Sequence, residues 1–467
     1  MRFKIQMVIE NDDEQTTIED IFTFEKGASH VVDIGLSLSE SKQLLKRLQS
    51  SLVQAQAKTF IKTMGQCGAC HKSHRIKGSH TIQYRTLFGI VVIDGPRLHH
   101  CHCDKAHSGT FSLLKQLFSE HVSSELKYIE TKWGSLIPYG LTAKLMKDLL
   151  PVSRTLNAST IKNHLHNVAQ RMEKDLQEKP AIEIGCGNDW AKLPKPDKPL
   201  TVGIDGGYVR NWNKKKSNFE VITGKSFSKT KSAKRFGFVQ RQDPNPRHRL
   251  MDVLQKQGMQ ANQQIEFLSD GAENLRSLQY LMYPEASHTL DWFHITMKLT
   301  VLNQFAKGLR NSDTEAAKLI IQDLESSKWY LWHGNSERAL DKLDECYWRL
   351  EDEGITYDNR KRFIKHLEEF NTYITNNRQI IPNYGEKYRY GETITTAFVE
   401  STVNEVIAKR MVKKQQMQWT RKGAHYMIQT RTAVLNGELT GYFEQWYPGF
   451  KIDDEQQIPG EDVKMAA

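Results

Sequence analysis

Two cysteine motifs constrain the fold of this chain more than any other feature of its sequence. Cys67 and Cys70 form a C-x-x-C motif, and Cys101 and Cys103 form a C-x-C motif after two strand-like runs. Two thiolates held in one tight turn can bind the same tetrahedral ion, so two such turns joined by a hairpin are typical of a zinc ribbon. The sequence therefore predicts a structural Zn²⁺ site that supplies folding energy to a small unit with little core.

Other interpretations of these cysteines stay open from the sequence. The second motif is shorter than the usual C-x-x-C, and His99, His100 or His102 could replace one sulfur ligand. A redox-active pair is a second possibility, although no βαβ pattern surrounds the first motif, and four unrelated buried thiols are a third. The remaining cysteines, Cys186 and Cys346, are isolated, and we expect them to be packing residues.

Composition favours a folded protein that is not embedded in a membrane and that has a polyanionic partner. The 467 residues include 65 Lys and Arg against 55 Asp and Glu, which gives a net charge of +10. No apolar run approaches the length of a membrane span, and the N-terminal segment becomes acidic without the apolar core of a signal peptide. Six cysteines are too few for a disulfide scaffold, so we expect a reducing, cytoplasmic environment.

Changes in residue pattern divide the chain into eight segments. Ser37 and Glu40 predict a capping box at the start of the first helix, and Gly89 and Asp94-Gly95-Pro96 predict turns. Three strands followed by alternating helices and strands predict a mixed α/β sheet after residue 200. The segments are N-terminal strands and an amphipathic helix (1–60), the zinc ribbon (61–110), a helical region (111–180), a Pro-rich linker (181–199), the first part of an α/β core (200–296), an all-α insertion (297–390), the final helices of the core (391–440) and a C-terminal tail (441–467).

The helical region at 111–180 contains a pattern found in DNA-binding proteins. A helix that ends near Pro151 is followed by a second helix with Asn157, Ser159 and Thr160 at its start. Helix, short turn and helix is the order of a helix-turn-helix motif, but most such pairs are only packing units. Both interpretations remain open from the residues alone.

Two aspartates come directly after apolar strand-like runs and predict an acidic site. Asp205 follows Val202–Ile204 and precedes two glycines, and Asp270 follows Ile265–Ser269 and precedes Gly271. Two adjacent carboxylates resist ionisation unless a divalent cation neutralises them, and oxygen ligands suit Mg²⁺ or Mn²⁺. A pair of such ions could activate water and stabilise a leaving oxygen at a phosphodiester. The alternative is that both aspartates only form turns.

Glu400 is the candidate for a third carboxylate. It shares a predicted helical stripe with Val403, Ile407 and Met411, so we expect it to point toward the core. Glu405 falls off that stripe, and we expect it to be solvated. Together, Asp205, Asp270 and Glu400 predict a site for two Mg²⁺ or Mn²⁺ ions.

Basic residues flank the acids on both sides in sequence and predict contacts with a phosphate backbone. Trp212 and Trp419 lie within these basic runs and could stack on bases or pack in the core. The candidate DNA-binding residues are Lys214, Lys215, Lys216, Lys234, Arg235, Lys409, Arg410, Lys413 and Lys414.

Asp291 and His294 form a further candidate pair. They are three residues apart at the start of a predicted helix, where their side chains can meet. The pair could be a hydrogen-bonded clamp, a support for the metal site or a satisfied core pair, and the residues alone do not separate these roles.

The sequence resembles ISKra-type insertion-sequence transposases, which belong to the DDE group and have an RNase H-like catalytic core. The resemblance covers nearly the whole chain. It rests on the two cysteine motifs, on the order strand–Asp, strand–Asp, DxxH, helical insertion and helix–Glu, and on these segments: GIDGGYVR, FLSDGAENLR, DWFH and FVESTVNEVIAKRMVKKQQMQWTRKGAHYMIQTRTAVLNG.

The resemblance implies a fold and an activity. The fold is an RNase H-like mixed sheet with an all-α insertion, preceded by a zinc ribbon and a helical DNA-binding region. The implied metal-binding triad is Asp205, Asp270 and Glu400, with Asp291 and His294 as a supporting motif. The implied activity is cleavage of the ends of a DNA element and transfer of the 3′-hydroxyls to target DNA.

Two other functions compete with transposition. A non-catalytic zinc-ribbon regulator would need only the DNA-binding regions, and a metal-dependent nuclease would cut without joining. For a transposase we expect double-stranded DNA as partner, a homodimer or larger homo-oligomer because two DNA ends must be joined, and a place at the bacterial nucleoid in the cytoplasm.

Overall fold

The computed structural model describes residues 1–10, 16–27, 29–103, 107–179, 192–194, 196, 199–214, 216–228, 232–352, 356–412 and 417–452. These residues form a mixed α/β protein with three small sheets. Two compact units are present, Met1–Arg171 with Gly437–Ala467 and Met172–Asn436. No helix in the described ranges is both long enough and apolar enough to cross a membrane. Most of the predicted linker, Cys186 and the end of the predicted tail lie outside the described residues.

The first unit begins with a two-stranded antiparallel sheet and a long helix. Strands β1 (Arg2–Glu10) and β2 (Thr16–Glu25) precede α1 (Leu38–Met64). The Glu40 backbone N–H donates to Ser37 Oγ, and the Ser37 N–H donates to the Glu40 carboxylate (2.8 Å). The predicted capping box is therefore confirmed.

A three-stranded antiparallel sheet follows, made of β3 (Ile76–Thr86), β4 (Gly89–His99) and β5 (Thr110–Ser112). Gly89 has a φ of 118° and starts β4 directly after the tight connection, as expected. The turn predicted at Asp94-Gly95-Pro96 is wrong, because these residues lie inside β4. Gly95 instead permits close packing, since a Cβ there would lie 2.4 Å from Leu114 Cδ1.

The rest of this region is helical, with α2 (Leu113–Leu117), α3 (Ser124–Leu136), α4 (Tyr139–Leu149) and α5 (Ala158–Glu178). The Thr160 backbone N–H donates to Asn157 Oδ1 (3.0 Å), which caps the start of α5 as predicted. The two helices of the predicted helix-turn-helix therefore exist as α4 and α5, and a connection at 150–157 separates them.

The second unit contains a five-stranded mixed sheet, as the sequence predicts. Its strands are β6 (Leu200–Arg210), β7 (Asn218–Phe227), β8 (Lys234–Val239), β9 (Ile265–Ser269) and β10 (Ser287–Leu290). The spatial order is β10-β9-β6-β7-β8. Strands β6, β7 and β8 are antiparallel, whereas β9 is parallel to both β6 and β10. Helices α6 (Pro246–Lys256) and α7 (Glu273–Met282) contribute Leu250 and Leu275 to the core beneath the sheet.

The segment that follows β10 is helical and has its own core. It comprises α8 (Trp292–Leu309), α9 (Thr314–Trp332), α10 (Ser336–Glu351), α11 (Arg360–Asn377) and α12 (Tyr384–Arg389). Leu324, Leu343 and Phe363 are fully buried in this core. Cys346 is also fully buried there, in agreement with its predicted packing role.

The chain then returns to the five-stranded sheet. Helix α13 (Ala397–Val403) continues directly into a π-helix (Asn404–Val412), followed by α14 (Arg421–Leu435). The last described helix is α15 (Leu439–Trp446), which belongs to the first unit. The sequence does not predict the π-helix, a wide helical form that often occurs at functional sites.

Candidate functional site

The four cysteines of the two motifs converge at the base of the β3–β4 hairpin. Their sulfur atoms all lie within 4.8 Å of one another, and Cys70 Sγ is 3.6 Å from Cys101 Sγ. The first motif is folded into a tight turn, in which the His71 N–H donates to the Cys67 carbonyl (2.8 Å). Four sulfurs at this spacing can hold a metal ion such as zinc.

This geometry decides between the interpretations of the cysteines. Four unrelated thiols would not converge, and a redox pair requires two sulfurs rather than four. Among the described residues, no histidine belongs to the cluster. Hydrogen bonds with Cys70 and Cys101 raise the pKa of the Cys103 thiol to about 12, because neighbouring sulfurs oppose a further negative charge. A bound cation would favour the thiolates, so the donor set fits a metal such as Zn²⁺.

The two predicted acidic residues lie close to each other along two neighbouring parallel strands, with Asp205 inside β6 and Asp270 directly after β9. Gly203 on β6 is paired with Leu268 on β9, and Asp205 and Asp270 each follow two residues later. Both carboxylates therefore lie where the pairing of the two parallel strands ends. The prediction that Asp205 ends its strand is wrong, because β6 continues to Arg210 along its antiparallel partner β7.

Asp205 is surrounded by charged groups of the predicted site. Burial, with a further contribution from the negative charges of Asp270 and Glu400, raises the pKa of its carboxyl to about 6. A hydrogen bond from the Gly206 N–H to Asp205 Oδ1 (2.7 Å) and the charge of His294 act in the opposite direction. The structure thus brings Asp205, Asp270, Glu400 and His294 within electrostatic range of one another.

Asp270 also forms the turn that the alternative interpretation predicts. Its Oδ1 accepts the N–H of Ala272 (2.9 Å), and Gly271 adopts a φ of 81°. Among the described residues, no hydrogen bond reaches Oδ2 of Asp270 or of Asp205. Turn formation and ligand binding are therefore compatible, because the backbone uses one oxygen of each carboxylate.

Two glycines on β6 allow α13, the helix that contains Glu400, to lie close to Asp205. Gly203 and Gly207 lie two residues on either side of Asp205 and share its face of the strand. A Cβ at Gly203 would lie 2.0 Å from Val399 Cγ2, and a Cβ at Gly207 would lie 2.8 Å from Ile407 Cδ1. Only residues without a side chain allow α13 and the π-helix to lie this close to the strand.

Glu400 itself is exposed, so the predicted inward orientation is wrong. The buried positions of α13 are Val399 and Thr402 instead, because the helix packs on the sheet through Val399. The prediction for Glu405 is also wrong, because its carboxylate pairs with the Arg235 guanidinium at 2.8 Å. The unpredicted change to π-helix at Asn404 alters which residues face the sheet.

Asp291 and His294 meet at the start of α8, as predicted. Asp291 is fully buried and accepts hydrogen bonds from the Phe293 N–H (2.9 Å), from His294 Nδ1 (2.7 Å) and from the backbone and hydroxyl of Thr396. The hydrogen bond to Asp291 raises the pKa of His294, and the charges of Asp291, Asp270 and Asp205 contribute to this increase. Asp291 is therefore a clamp that holds His294 beside the two aspartates.

The three carboxylates do not form a tight cluster like the cysteines. The cysteine site is the one group of three or more His, Cys, Asp or Glu ligand atoms within 4.8 Å in the described residues. Mutual repulsion favours wider spacing of carboxylates without a counter-ion, and the exposure of Glu400 leaves its side chain room to move.

Sequence reasoning missed four residues that support this site. Tyr373 in the helical insertion donates its hydroxyl to the Asp270 carbonyl (2.8 Å), and Thr396 holds Asp291. Asn274 donates to Glu220 Oε1 (2.8 Å), and this carboxylate lies against Gly206. No local sequence signal marks these residues, because each acts through a contact with a distant part of the chain.

The predicted DNA-binding residues differ in their surroundings. Lys214, Lys216 and Lys409 are exposed. Lys234 and Arg235 are half-buried and hydrogen-bond to Asn436 and Glu405, respectively. Arg410 is fully buried over the Trp419 ring, so its prediction as a surface contact is wrong. The remaining candidates lie outside the described residues; they are Lys215, Lys413 and Lys414.

The two tryptophans of the basic runs have different environments. Trp419 is 5% exposed and packs in the core, whereas Trp212 is 62% exposed. The packing interpretation is therefore confirmed for Trp419, whereas stacking of Trp212 on bases stays a prediction.

No protein-family model matches the chain, and no curated protein matches it.

Proposed function

We propose that this chain is a DDE transposase with an RNase H-like catalytic core. One observation carries the proposal: Asp205, Asp270, Glu400 and His294 lie near one another although they are far apart in sequence. The order of elements also agrees with that of the transposases which the sequence resembles. A mixed sheet carries the two aspartates at the end of its parallel strand pair, and a helical insertion and a helix with Glu400 follow.

The donor chemistry of this site fits a hard divalent cation. All three candidate ligands are carboxylates, which suit Mg²⁺ or Mn²⁺. The pKa of Asp205 is raised first by burial and then by the negative charges of Asp270 and Glu400, and a bound cation would compensate these charges. We propose that Asp205, Asp270 and Glu400 hold two such ions, which supply activation of the attacking hydroxyl and stabilisation of the leaving oxygen.

The protein residues then have distinct roles in strand cleavage and joining. Asp205 lies on β6 and Asp270 directly follows β9, and a backbone N–H donates to one oxygen of each carboxylate, whereas the exposed Glu400 can close on a bound substrate. His294 is held by Asp291 with a raised pKa, which favours a protonated imidazole beside the phosphodiester. No covalent protein–DNA intermediate is needed, because the proposed chemistry is direct in-line displacement.

We propose that the cysteine cluster holds structural Zn²⁺ and that the zinc ribbon and α3–α5 bind the ends of the DNA element. The net charge of +10 and the exposed lysines support a partner with a phosphate backbone. We propose a dimer or larger assembly, because two DNA ends must be joined, and a place in the bacterial cytoplasm, where such DNA lies.

A joining assay tests the proposal. The purified protein is incubated with Mg²⁺ and a plasmid that carries its gene with the natural flanking DNA. Transposition predicts recombinant strands in which an element end is joined to new DNA. Cut ends without joined strands would identify a nuclease, and binding without cleavage would identify a regulator; either result contradicts the proposal.

A further inference from the structure

Beyond the acidic site, β6 ends in a second surface that combines aromatic and basic residues. Tyr208 is 66% exposed and Trp212 is 62% exposed, and Arg210 between them is also exposed. Side chains alternate along a strand, so Tyr208 and Arg210 face away from the side that carries Asp205 and the buried Val209. We name Tyr208, Arg210 and Trp212 the β6 platform.

The backbone of the platform is fixed although its side chains are exposed. The Trp212 N–H donates to the Trp419 carbonyl (2.9 Å), and the Trp419 N–H donates to the Arg210 carbonyl (2.9 Å). Asn211 is buried between them, and its N–H donates to the Ser217 carbonyl (3.0 Å). A large apolar ring on a fixed backbone loses little entropy when it binds a partner.

The charge around the platform is strongly positive. Arg210, Lys214 and Lys216 are exposed, and no ion pair joins them to an acid among the described residues. Glu220 is the single acid in the sequence between Asp205 and Asp243, and it is hydrogen-bonded to Asn274. Cations interleaved with exposed aromatic rings match the two parts of a single-stranded nucleic acid, its phosphates and its bases.

We propose that the β6 platform stacks on unpaired nucleobases of single-stranded DNA that flanks the reacting phosphodiester. This inference rests on the proposed function, which supplies DNA as the substrate, and it adds a site to it. Because Tyr208 and Arg210 face away from Asp205, and Trp212 lies seven residues beyond it, the platform would hold the DNA without touching the reacting atoms. Its loss should weaken the binding of single-stranded DNA.

The test measures binding of single-stranded DNA that contains the fluorescent base 2-aminopurine. Stacking on an aromatic ring quenches this base, so quenching reports the contact directly. Trp212→Ala should weaken binding roughly five- to hundred-fold and abolish the quenching, as expected for one lost stacking contact. Trp212→Phe should restore much of both signals.

Two control variants distinguish stacking from charge attraction and from the loss of any exposed tryptophan. Trp348→Ala removes a tryptophan that is 71% exposed on the helical insertion, and it should bind DNA like the wild type. The double variant Lys214→Ala/Lys216→Ala should reduce the salt dependence of binding, whereas Trp212→Ala should leave that dependence unchanged.

The outcomes distinguish this inference from the transposase proposal. Unchanged binding and quenching in Trp212→Ala, or equal loss in Trp348→Ala, would overturn the platform and leave the transposase proposal standing. Trp212-dependent quenching in a wild-type protein that neither cuts nor joins DNA would support the platform and contradict the transposase.

Discussion

At the residue scale, the carboxyl of Asp205, a proposed metal ligand, lowers the stability of the folded protein when it ionises. Its carboxyl lies beside Asp270 and Glu400, so that ionisation is opposed by burial and by like charge. The pKa rises from its ordinary value of 3.8 to about 6. In the folded protein this carboxyl therefore keeps its proton at pH values where it has already ionised in the unfolded chain.

This difference in the pKa of Asp205 between the folded and unfolded states makes the stability of the protein depend on pH. Between about pH 4 and pH 6 the folded state binds more protons at Asp205 than the unfolded state, so stability falls as the pH rises. Without divalent cations, Asp205→Asn should stabilise the protein at pH 8 by at most about 3 kcal/mol. The gain should disappear at pH 4.

Urea unfolding in the presence of a chelator measures this effect. Asp341→Asn, at an exposed position in α10, is the control and should change stability little at either pH. An equal effect of Asp205→Asn at both pH values would show that ionisation of this buried carboxyl is not the cause.

At the scale of elements, the Glu400 helix depends on the absence of side chains at two positions in β6. A methyl group at Gly203 would overlap Val399, whereas one at Gly207 would meet the flexible end of Ile407. Gly203→Ala should therefore destabilise the protein by about 3 kcal/mol and Gly207→Ala by about 1 kcal/mol.

A double variant tests the contact itself. Val399→Ala removes the methyl group that the new Cβ at Gly203 meets first, so Gly203→Ala/Val399→Ala should be less destabilised than the sum of the single variants. Strict additivity in denaturant unfolding would mean that the helix does not pack on Gly203 in solution.

The cysteine cluster yields a prediction for another element, the β3–β4 hairpin. Zinc binding must displace protons from thiols such as Cys103, so the affinity for Zn²⁺ should rise with pH. Cys101→Ser should lower the affinity at least about ten-fold and destabilise the hairpin, while Cys346→Ser should keep one zinc per chain. Competition with a chromogenic chelator measures both, and a zinc content that Cys101→Ser leaves unaltered would refute the site.

The elements also show how far local sequence predicts this structure. The capping box at Ser37, the cysteine turns and the strand before Asp270 each depend on residues close together in the chain, and all are present. The orientation of Glu400 depends on packing against Gly203, which is far away in sequence. Such tertiary contacts override helical periodicity, and for this reason the predicted orientation of Glu400 is wrong, although Ile407 and Met411 of the same stripe are buried.

At the scale of the whole molecule, distant parts of the chain converge on one site. β6 supplies Asp205, β9 leads to Asp270, and α8 carries His294. The helical insertion contributes Tyr373, which holds the Asp270 carbonyl, and α13 supplies Glu400. A long insertion between the second and third acids is compatible with the site because its ends return to the same sheet.

The proposed roles of two nearby glutamates provide a matched pair of variants. Glu400→Gln should abolish strand cleavage and leave DNA binding nearly unchanged, because it removes a ligand charge without altering the fold. Glu405→Gln, five residues later, breaks only the ion pair with Arg235 and should retain cleavage. A gel assay of cleaved strands compares them, and full activity of Glu400→Gln would remove Glu400 from the site.

Manganese binding tests the central claim most directly, because it requires no knowledge of the DNA sequence. Crystals of the full chain are soaked in Mn²⁺, and anomalous diffraction locates the ions. We predict Mn²⁺ held by Asp205 and Asp270, with Glu400 turned toward it, and no ion in Asp205→Asn. Wild-type crystals with no Mn²⁺ at these carboxylates would contradict the proposed catalytic site.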